Sequence, residues 1–324
     1  MRREPRRFSS KVLQDSSAAP FAAQAESDAM PPRPDQKAIA LYDRYTHGDL
    51  DRRGFMERLA LLAGSTAAAQ ALLGALSNDY AQAQIVAPDD KRIVTETLSF
   101  PGPDGPVTGL LAKGRREAKR PTVIVIHENR GLNPHIQDVT RRLAVSGFLV
   151  YGVDLLSPLG GTPADEDAAR EMIGKLDLDA TASTLAAAIP VLAARPDSNG
   201  AVGALGFCWG GGMANRLAAA APDLKAAVAY YGQPLADDRV PQIKAALQLH
   251  YAGLDERINA GVPAFQKALQ ANEKEFELYM YEGANHAFNN DANPARYERK
   301  AANLAWDRTI AFLESHLGAA VPPT

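Results

Sequence analysis

The sequence predicts an α/β fold: a mainly parallel central sheet with helices on both faces, preceded by an N-terminal extension. Three observations carry this expectation. From Ile85 onward, short β-rich runs alternate with helical stretches. The later β-rich runs are continuously apolar, as strands covered on both faces are. The first 84 residues show neither feature. The chain has 324 residues, 46% of them hydrophobic and 23% charged, which suits a large buried core and excludes a disordered or fibrous chain. At roughly 100–200 residues per domain, the length admits two domains, or one large domain with an appendage.

Residues 1–36 carry Arg2, Arg3, Arg6 and Arg7, then a Ser, Ala and Pro-rich stretch ending in Pro31, Pro32 and Pro34. They read as a disordered tail. Residues 37–84 read as a helical extension or a signal. Apolar residues return at helical spacing between Ile39 and Tyr45, and Asp51-Arg52-Arg53-Gly54-Phe55-Met56 resembles the twin-arginine export motif. Leu59 to Leu76 is mildly apolar but diluted by Gly64, Ser65, Thr66, Gln70 and Gly74. That suits a weakly hydrophobic signal core better than a membrane span of about 20 strongly apolar residues, so no stable membrane anchor is expected. Ala81-Gln82-Ala83 supplies a small-residue cleavage pattern. Export to the periplasm is the favoured expectation; the alternative is a cytoplasmic protein whose amphipathic helices stay packed on the main domain. Under either reading the extension is not expected to be catalytic.

Strands are expected at Ile93 to Phe100, Val107 to Ala112, Thr122 to Ile126, Phe148 to Val153, Ala201 to Leu205, Ala226 to Tyr231, Ala246 to Tyr251 and Phe276 to Tyr281. The first two read as a hairpin around Pro101-Gly102-Pro103-Asp104-Gly105. Helices are expected at Pro134 to Ser146, Asp165 to Ala194, Gly211 to Ala220, Val262 to Asn272 and Pro294 to Leu317. Arg115, Arg116, Lys119 and Arg120 read as a solvated charge run. In such a sheet the chemistry gathers at the C-terminal ends of the strands.

The densest chemical signal is Gly206-Phe207-Cys208-Trp209-Gly210, which follows a strand and leads into an alanine-rich helix. This is Gly-x-Cys-x-Gly, a nucleophile-elbow pattern with sulfur in place of the usual serine oxygen. The tight turn crowds its neighbours, so Gly206 and Gly210 avoid clashes that a Cβ would create. The helix start behind Cys208 favours a thiolate, and the Trp209 N–H is placed for an oxyanion. Cys208 is the only cysteine; an internal disulfide and every multi-cysteine metal site are excluded. On the elbow alone, a buried structural cysteine remains an alternative. Acyl transfer also needs a base and an acid to orient it, which arrive in this fold in the order nucleophile, acid, histidine. Asp255, within Gly253-Leu254-Asp255-Glu256-Arg257, and His286, within Asn285-His286-Ala287-Phe288, each follow a strand in that order. Glu256 is the neighbouring alternative acid. The loop after the Thr122 to Ile126 strand supplies the second oxyanion donor in this fold, which makes the N–H of Asn129 the candidate.

Gly-Phe-Cys-Trp-Gly-Gly, Glu128 directly after the early strand, Gly-Leu-Asp-Glu-Arg and the Asn-His-Ala-Phe loop together resemble the dienelactone hydrolase (carboxymethylenebutenolidase) family over about Val107 to Leu317. The resemblance implies an α/β-hydrolase domain over residues 85–324, with Cys208 as nucleophile, His286 as base and Asp255 as its orienter. It also implies that Glu128 is a fourth polar member, holding the thiol neutral until an anionic substrate releases it as thiolate. An ion pair of Glu128 with Arg130 or another arginine is the structural alternative. The family's founding members carry an arginine four residues beyond the histidine to hold a substrate carboxylate; here that residue is Asn290. Arg130, Arg170 and Arg257 are the candidate substitutes, while Trp209 and Phe288 are candidates for an apolar acyl pocket.

A net charge of −3 gives no cationic field for phosphate backbones, so nucleic acid is not an expected partner. His47, His127, His135, His250 and His316 show no metal-ligand spacing along the chain, and no metal or organic cofactor is expected. The expected function is hydrolysis of a small lactone or carboxylic ester through a thioester. The alternatives are a non-hydrolytic thiol redox or binding protein on this scaffold, and an acyl transferase or peptidase of the same fold.

Overall fold

Nine strands form one sheet in the computed structural model, which describes residues 11–12, 33–80, 83–103 and 105–323. In chain order they are β1 (Lys11–Val12), β2 (Ile93–Gly102), β3 (Gly105–Gly114), β4 (Arg120–Ile126), β5 (Leu149–Asp154), β6 (Ser198–Phe207), β7 (Ala226–Tyr230), β8 (Ala246–Ala252) and β9 (Phe276–Tyr281). The spatial order is β1-β9-β8-β7-β6-β4-β5-β3-β2. β2 and β3 form the expected antiparallel hairpin, β3 runs antiparallel to β5, and every other pairing is parallel. Lys11–Val12 falls within the tail expected to be disordered, yet pairs with Glu277 and Leu278. The rest of that tail up to residue 32, and Ala81 and Gln82 of the cleavage pattern, lie outside the described residues.

Burial on both faces explains the continuous apolar runs. In β4, Ile124 and Ile126 pack with helices α6 (Leu178–Ala193), α7 (Trp209–Ala220) and α9 (Val262–Ala271), while the alternate residues Val123 and Val125 pack with α4 (Pro134–Val145) and α10 (Arg299–Leu317). The stretch expected as one helix from Asp165 to Ala194 is two, α5 (Glu166–Gly174) and α6. The chain breaks at Lys175–Asp177, where the Asp177 carboxylate caps α6 by accepting from Asp179 and Ala180 N–H. The last helix starts at Arg299, five residues later than expected. Arg120 departs from the solvated-run reading: it opens β4, is 1% exposed, and donates to the carbonyls of Arg116 and Ala118.

The extension forms α1 (Gln36–Thr46), α2 (Arg52–Ala63) and α3 (Thr66–Leu76). Tyr42, Tyr45, Phe55, Leu59, Ala69 and Leu76 bury a small core of their own against Ala295, and polar contacts tie it to the sheet domain. Asn129 Nδ2 donates to the Thr46 carbonyl (2.7 Å), the Tyr45 hydroxyl to Asp167 (2.6 Å) and Asn293 Nδ2 to the Leu76 carbonyl (2.6 Å). The Arg296 guanidinium lies over the Tyr42 ring. Arg52 of the twin-arginine-like segment pairs with Asp167 and Arg53 with Glu57. Among the described residues no single helix is long and apolar enough to cross a membrane; α2 and α3 reach that composition only as a pair bent by 108°.

Candidate active site

Cys208 stands between the end of β6 and the first residue of α7 with φ 55° and ψ −117°, a left-handed conformation that costs a non-glycine residue energy. The neighbours impose it. A Cβ on Gly206 would meet the Gly210 carbonyl, and one on Gly210 would meet the carbonyls of Ile126 and His127. Trp209 opens α7, so its N–H has no partner within the helix, and its indole is held parallel to the buried His127 ring at 5.5 Å.

The loops after β8 and β9 meet beside the sulfur. Asp255 caps the short helix α8 (Glu256–Asn259) through Oδ1, accepting from Ile258 N–H, while Oδ2 bonds His286 Nδ1 at 2.5 Å. Both side chains are buried. Glu256, the alternative acid, is exposed in the first turn of α8. His286 Nε2 has no hydrogen-bond partner and faces Cys208, its nitrogen and the Sγ lying within 4.8 Å of each other.

The close hydrogen bond to the sulfur comes from a residue whose spacing along the chain carries no catalytic signal. His47, directly after α1, places Nε2 3.3 Å from Cys208 Sγ. Its Nδ1 lies 2.7 Å from the Asp43 carbonyl oxygen and 3.3 Å from the Asp43 carboxylate. The thiol is thus flanked by two imidazoles, each backed by an aspartate. Burial alone pushes the Cys208 thiol up; the charges of His286 and His47 override it and bring the thiol down to about 6. Burial opposes charge on His286, but Asp255, the sulfur and Asp43 raise its proton affinity well above the ordinary value. His47 is raised in the same way, by the Cys208 charge and by Asp43. Asp43 is held low against its burial by His286, His47 and Arg296. The donor atoms of Cys208, His47 and His286 are also close enough together for a metal ion to bridge, a grouping that no spacing along the chain reveals.

The structure places three further candidates, and for Arg130 and Phe288 it corrects the expectation. Glu128, 3% exposed, accepts from Asn290 Nδ2 at 2.9 Å through Oε2 and its Oε1 has no hydrogen-bond partner among the described residues, while the close hydrogen bond at the thiol is that of His47. Arg130 is buried and pairs through Nε with Glu166 (2.8 Å), neither binding Glu128 nor lining the cavity. Phe288 is fully buried beneath the site among Tyr230, Tyr231 and Tyr281, so it packs the core and does not line an acyl pocket. A cavity of about 900 Å³ opens onto Cys208, His47 and His286, with Trp209, Ile173, Ile258 and Asn129 in its wall. Arg52 and Arg170, also in that wall, are both engaged by Asp167.

A strand-to-helix elbow, with an acid and a histidine on the loops after the next strands, is the arrangement of an α/β-hydrolase. The chain belongs to the dienelactone hydrolase family, whose sequence profile matches residues 107–317. A second profile, described as YqhI-like, matches residues 34–65, the stretch that holds α1, His47 and all of α2. A protein of Escherichia coli O157:H7 named "Putative carboxymethylenebutenolidase" is 30% identical over 250 residues, 72% of this chain and 92% of that protein. A Bradyrhizobium protein named "Probable 2-oxo-3-(5-oxofuran-2-ylidene)propanoate lactonase" is 32% identical, covering 69% of this chain and 98% of its own length. Among solved structures, a "Putative Dienelactone Hydrolase" from Klebsiella pneumoniae superposes with a TM-score of 0.62 at 28% identity, over 68% of this chain and 98% of that one.

Proposed function

We propose that this chain hydrolyses a lactone or carboxylic ester through a thioester on Cys208. The observation that carries the reading is the convergence of a depressed, strained thiol with the Asp255–His286 pair at the mouth of one cavity. The Cys208 thiolate attacks the acyl carbon, and the amides of Trp209 and Asn129 receive the oxyanion. His286 protonates the departing alkoxide, then takes a proton from the water that cleaves the thioester. Asp255 fixes the ring with Nδ1 bonded, so that Nε2 does the exchange. The names of the relatives support lactones as the class.

Asn290 bears on the substrate. It is fully buried and spends its amide on Glu128, so it offers nothing to a substrate carboxylate; Arg52 and Arg170 of the cavity wall are already paired, and Arg257 lies 3.8 Å from the Asp43 carboxylate. The reading therefore favours neutral esters and lactones over carboxylated ones. The test is Cys208→Ala: the variant stays folded and loses turnover of an aryl ester by about a thousandfold or more. Full residual activity in the folded variant contradicts the assignment.

A further inference from the structure

We propose that His47, carried by the N-terminal helices, is a second catalytic histidine that pairs with the Cys208 sulfur and leaves His286 free to exchange protons with substrate and water. The inference rests on the thioester reading above but comes from a separate observation. Among the described residues His47 Nε2 makes the close hydrogen bond to Sγ, at 3.3 Å, while His286 Nε2, buried and farther from hydrogen-bonding geometry, acts on the same sulfur chiefly through its charge.

His47 is held for this task. With Nδ1 bonded to the Asp43 carbonyl, its Nε2 is the free nitrogen, and it points at the sulfur. The helix that carries it is fixed from several sides, by Asn129 on the Thr46 carbonyl, Asp167 on Tyr45 and Arg296 over Tyr42. The charged and titratable groups facing the pair are Asp43 on α1, Asp255 and Arg257 after β8, His286 and Arg296 after β9, Tyr231 after β7, and Glu128 after β4. Residues 34–65, which include both Asp43 and His47, match a profile of their own, so the segment is a recognisable sequence unit.

The proton count closes over one turnover. The resting site holds a thiolate between two imidazoliums. Sulfur forms a bond to the acyl carbon, the carbon–oxygen bond of the ester breaks, and the His286 proton goes to the alkoxide. Water then adds to the thioester carbon and gives a proton to His286. The carbon–sulfur bond breaks, and the electron pair returns to sulfur beside the His47 imidazolium. His47 keeps its proton throughout; it makes sulfur both a competent nucleophile and an acceptable leaving group.

The experiment uses the full chain and follows the rate of Cys208 alkylation by iodoacetamide against pH, alongside hydrolysis of a neutral aryl ester. His47→Gln should raise the alkylation midpoint by at least one pH unit. It should also lower kcat/KM about tenfold to a hundredfold near neutrality and recover much of the loss above pH 9, where a thiolate forms unaided. His286→Gln shows no such recovery, because the proton carrier itself is missing. Lys37→Ala, on the exposed side of α1, leaves both curves in place. Should His47→Gln lose its native thermal transition, Asp43→Asn, which keeps the imidazole, is the substitute and should raise the midpoint by a smaller amount. An unchanged midpoint in a folded His47→Gln or Asp43→Asn variant overturns the proposal. Alkylation needs no ester turnover: a shifted midpoint in a protein that cleaves no ester sinks the hydrolase reading alone, and an unshifted midpoint in an active hydrolase sinks only the role of His47.

Discussion

His47 Nε2 lies 3.3 Å from Cys208 Sγ, across 161 positions of chain. That contact joins the N-terminal helices to the elbow, and it alters what the extension is for. A segment whose sequence resembles an export signal supplies the sulfur's hydrogen-bond partner.

Retention of that segment is therefore expected in the active protein. Cleavage after Ala83 removes Asp43 and His47 together. Intact-mass measurement of active protein from its native source should find residues 34–76 present. A mature N-terminus at Gln84 in fully active material contradicts the role given to α1.

The pH dependence has a definite sign. Below about pH 6 the Cys208 thiol holds its proton and the nucleophile is absent; above it the thiolate dominates. The kcat/KM profile should rise through pH 6, reach a plateau, and fall again only where His286, raised above the ordinary histidine value by Asp255 and the sulfur against its burial, loses the proton needed by the leaving group. An acidic limb near 8.5, where an unperturbed thiol ionises, contradicts the two-imidazole environment.

Gly210→Ala tests the elbow itself. The new Cβ falls on the carbonyls of Ile126 and His127, which belong to β4 and its loop and cannot yield cheaply. A loss of about 1–3 kcal/mol is expected in denaturant unfolding, with a larger fall in turnover because Cys208 moves. Unchanged stability contradicts the packing argument.

Substrate preference follows from Asn290 and the paired arginines of the cavity wall. A matched panel of simple aryl esters and enol-lactones, with and without a carboxylate, should show higher kcat/KM for the neutral members. A preference for carboxylated lactones contradicts this and directs attention to Arg257, whose nearest acidic oxygen, on Asp43, is 3.8 Å away.

What could be read in the chain was what local pattern encodes. The inner strands were visible because burial on both faces makes runs such as Val123-Ile124-Val125-Ile126 continuously apolar, and β2 and β3, partly exposed, because the Pro-Gly-rich turn between them marks a hairpin. Cys208, Asp255 and His286 could be picked out because the elbow and the chain order of its partners follow from the fold. The break in the Asp165 to Ala194 stretch was signalled only by Gly174 and the capping Asp177, which apolar periodicity overrode. Arg120 looked solvated because a charge run hides the one member that folds back on its own loop. His47 was out of reach for a different reason: its partner is set by how α1 docks, through Tyr45, Thr46 and Tyr42, onto loops and the start of α5 more than 80 residues away. The Asp43 and His47 pair, four residues apart around the end of an otherwise apolar helix face, was the one local hint.

The central claim is that the acyl group passes through the Cys208 sulfur, and rapid-quench mass spectrometry during turnover of a neutral aryl ester tests it most directly. The account predicts a transient increase of one acyl mass on the peptide that contains Cys208, absent in Cys208→Ala. Steady turnover by the wild-type protein with no adduct at any time, and equal turnover by Cys208→Ala, would contradict it.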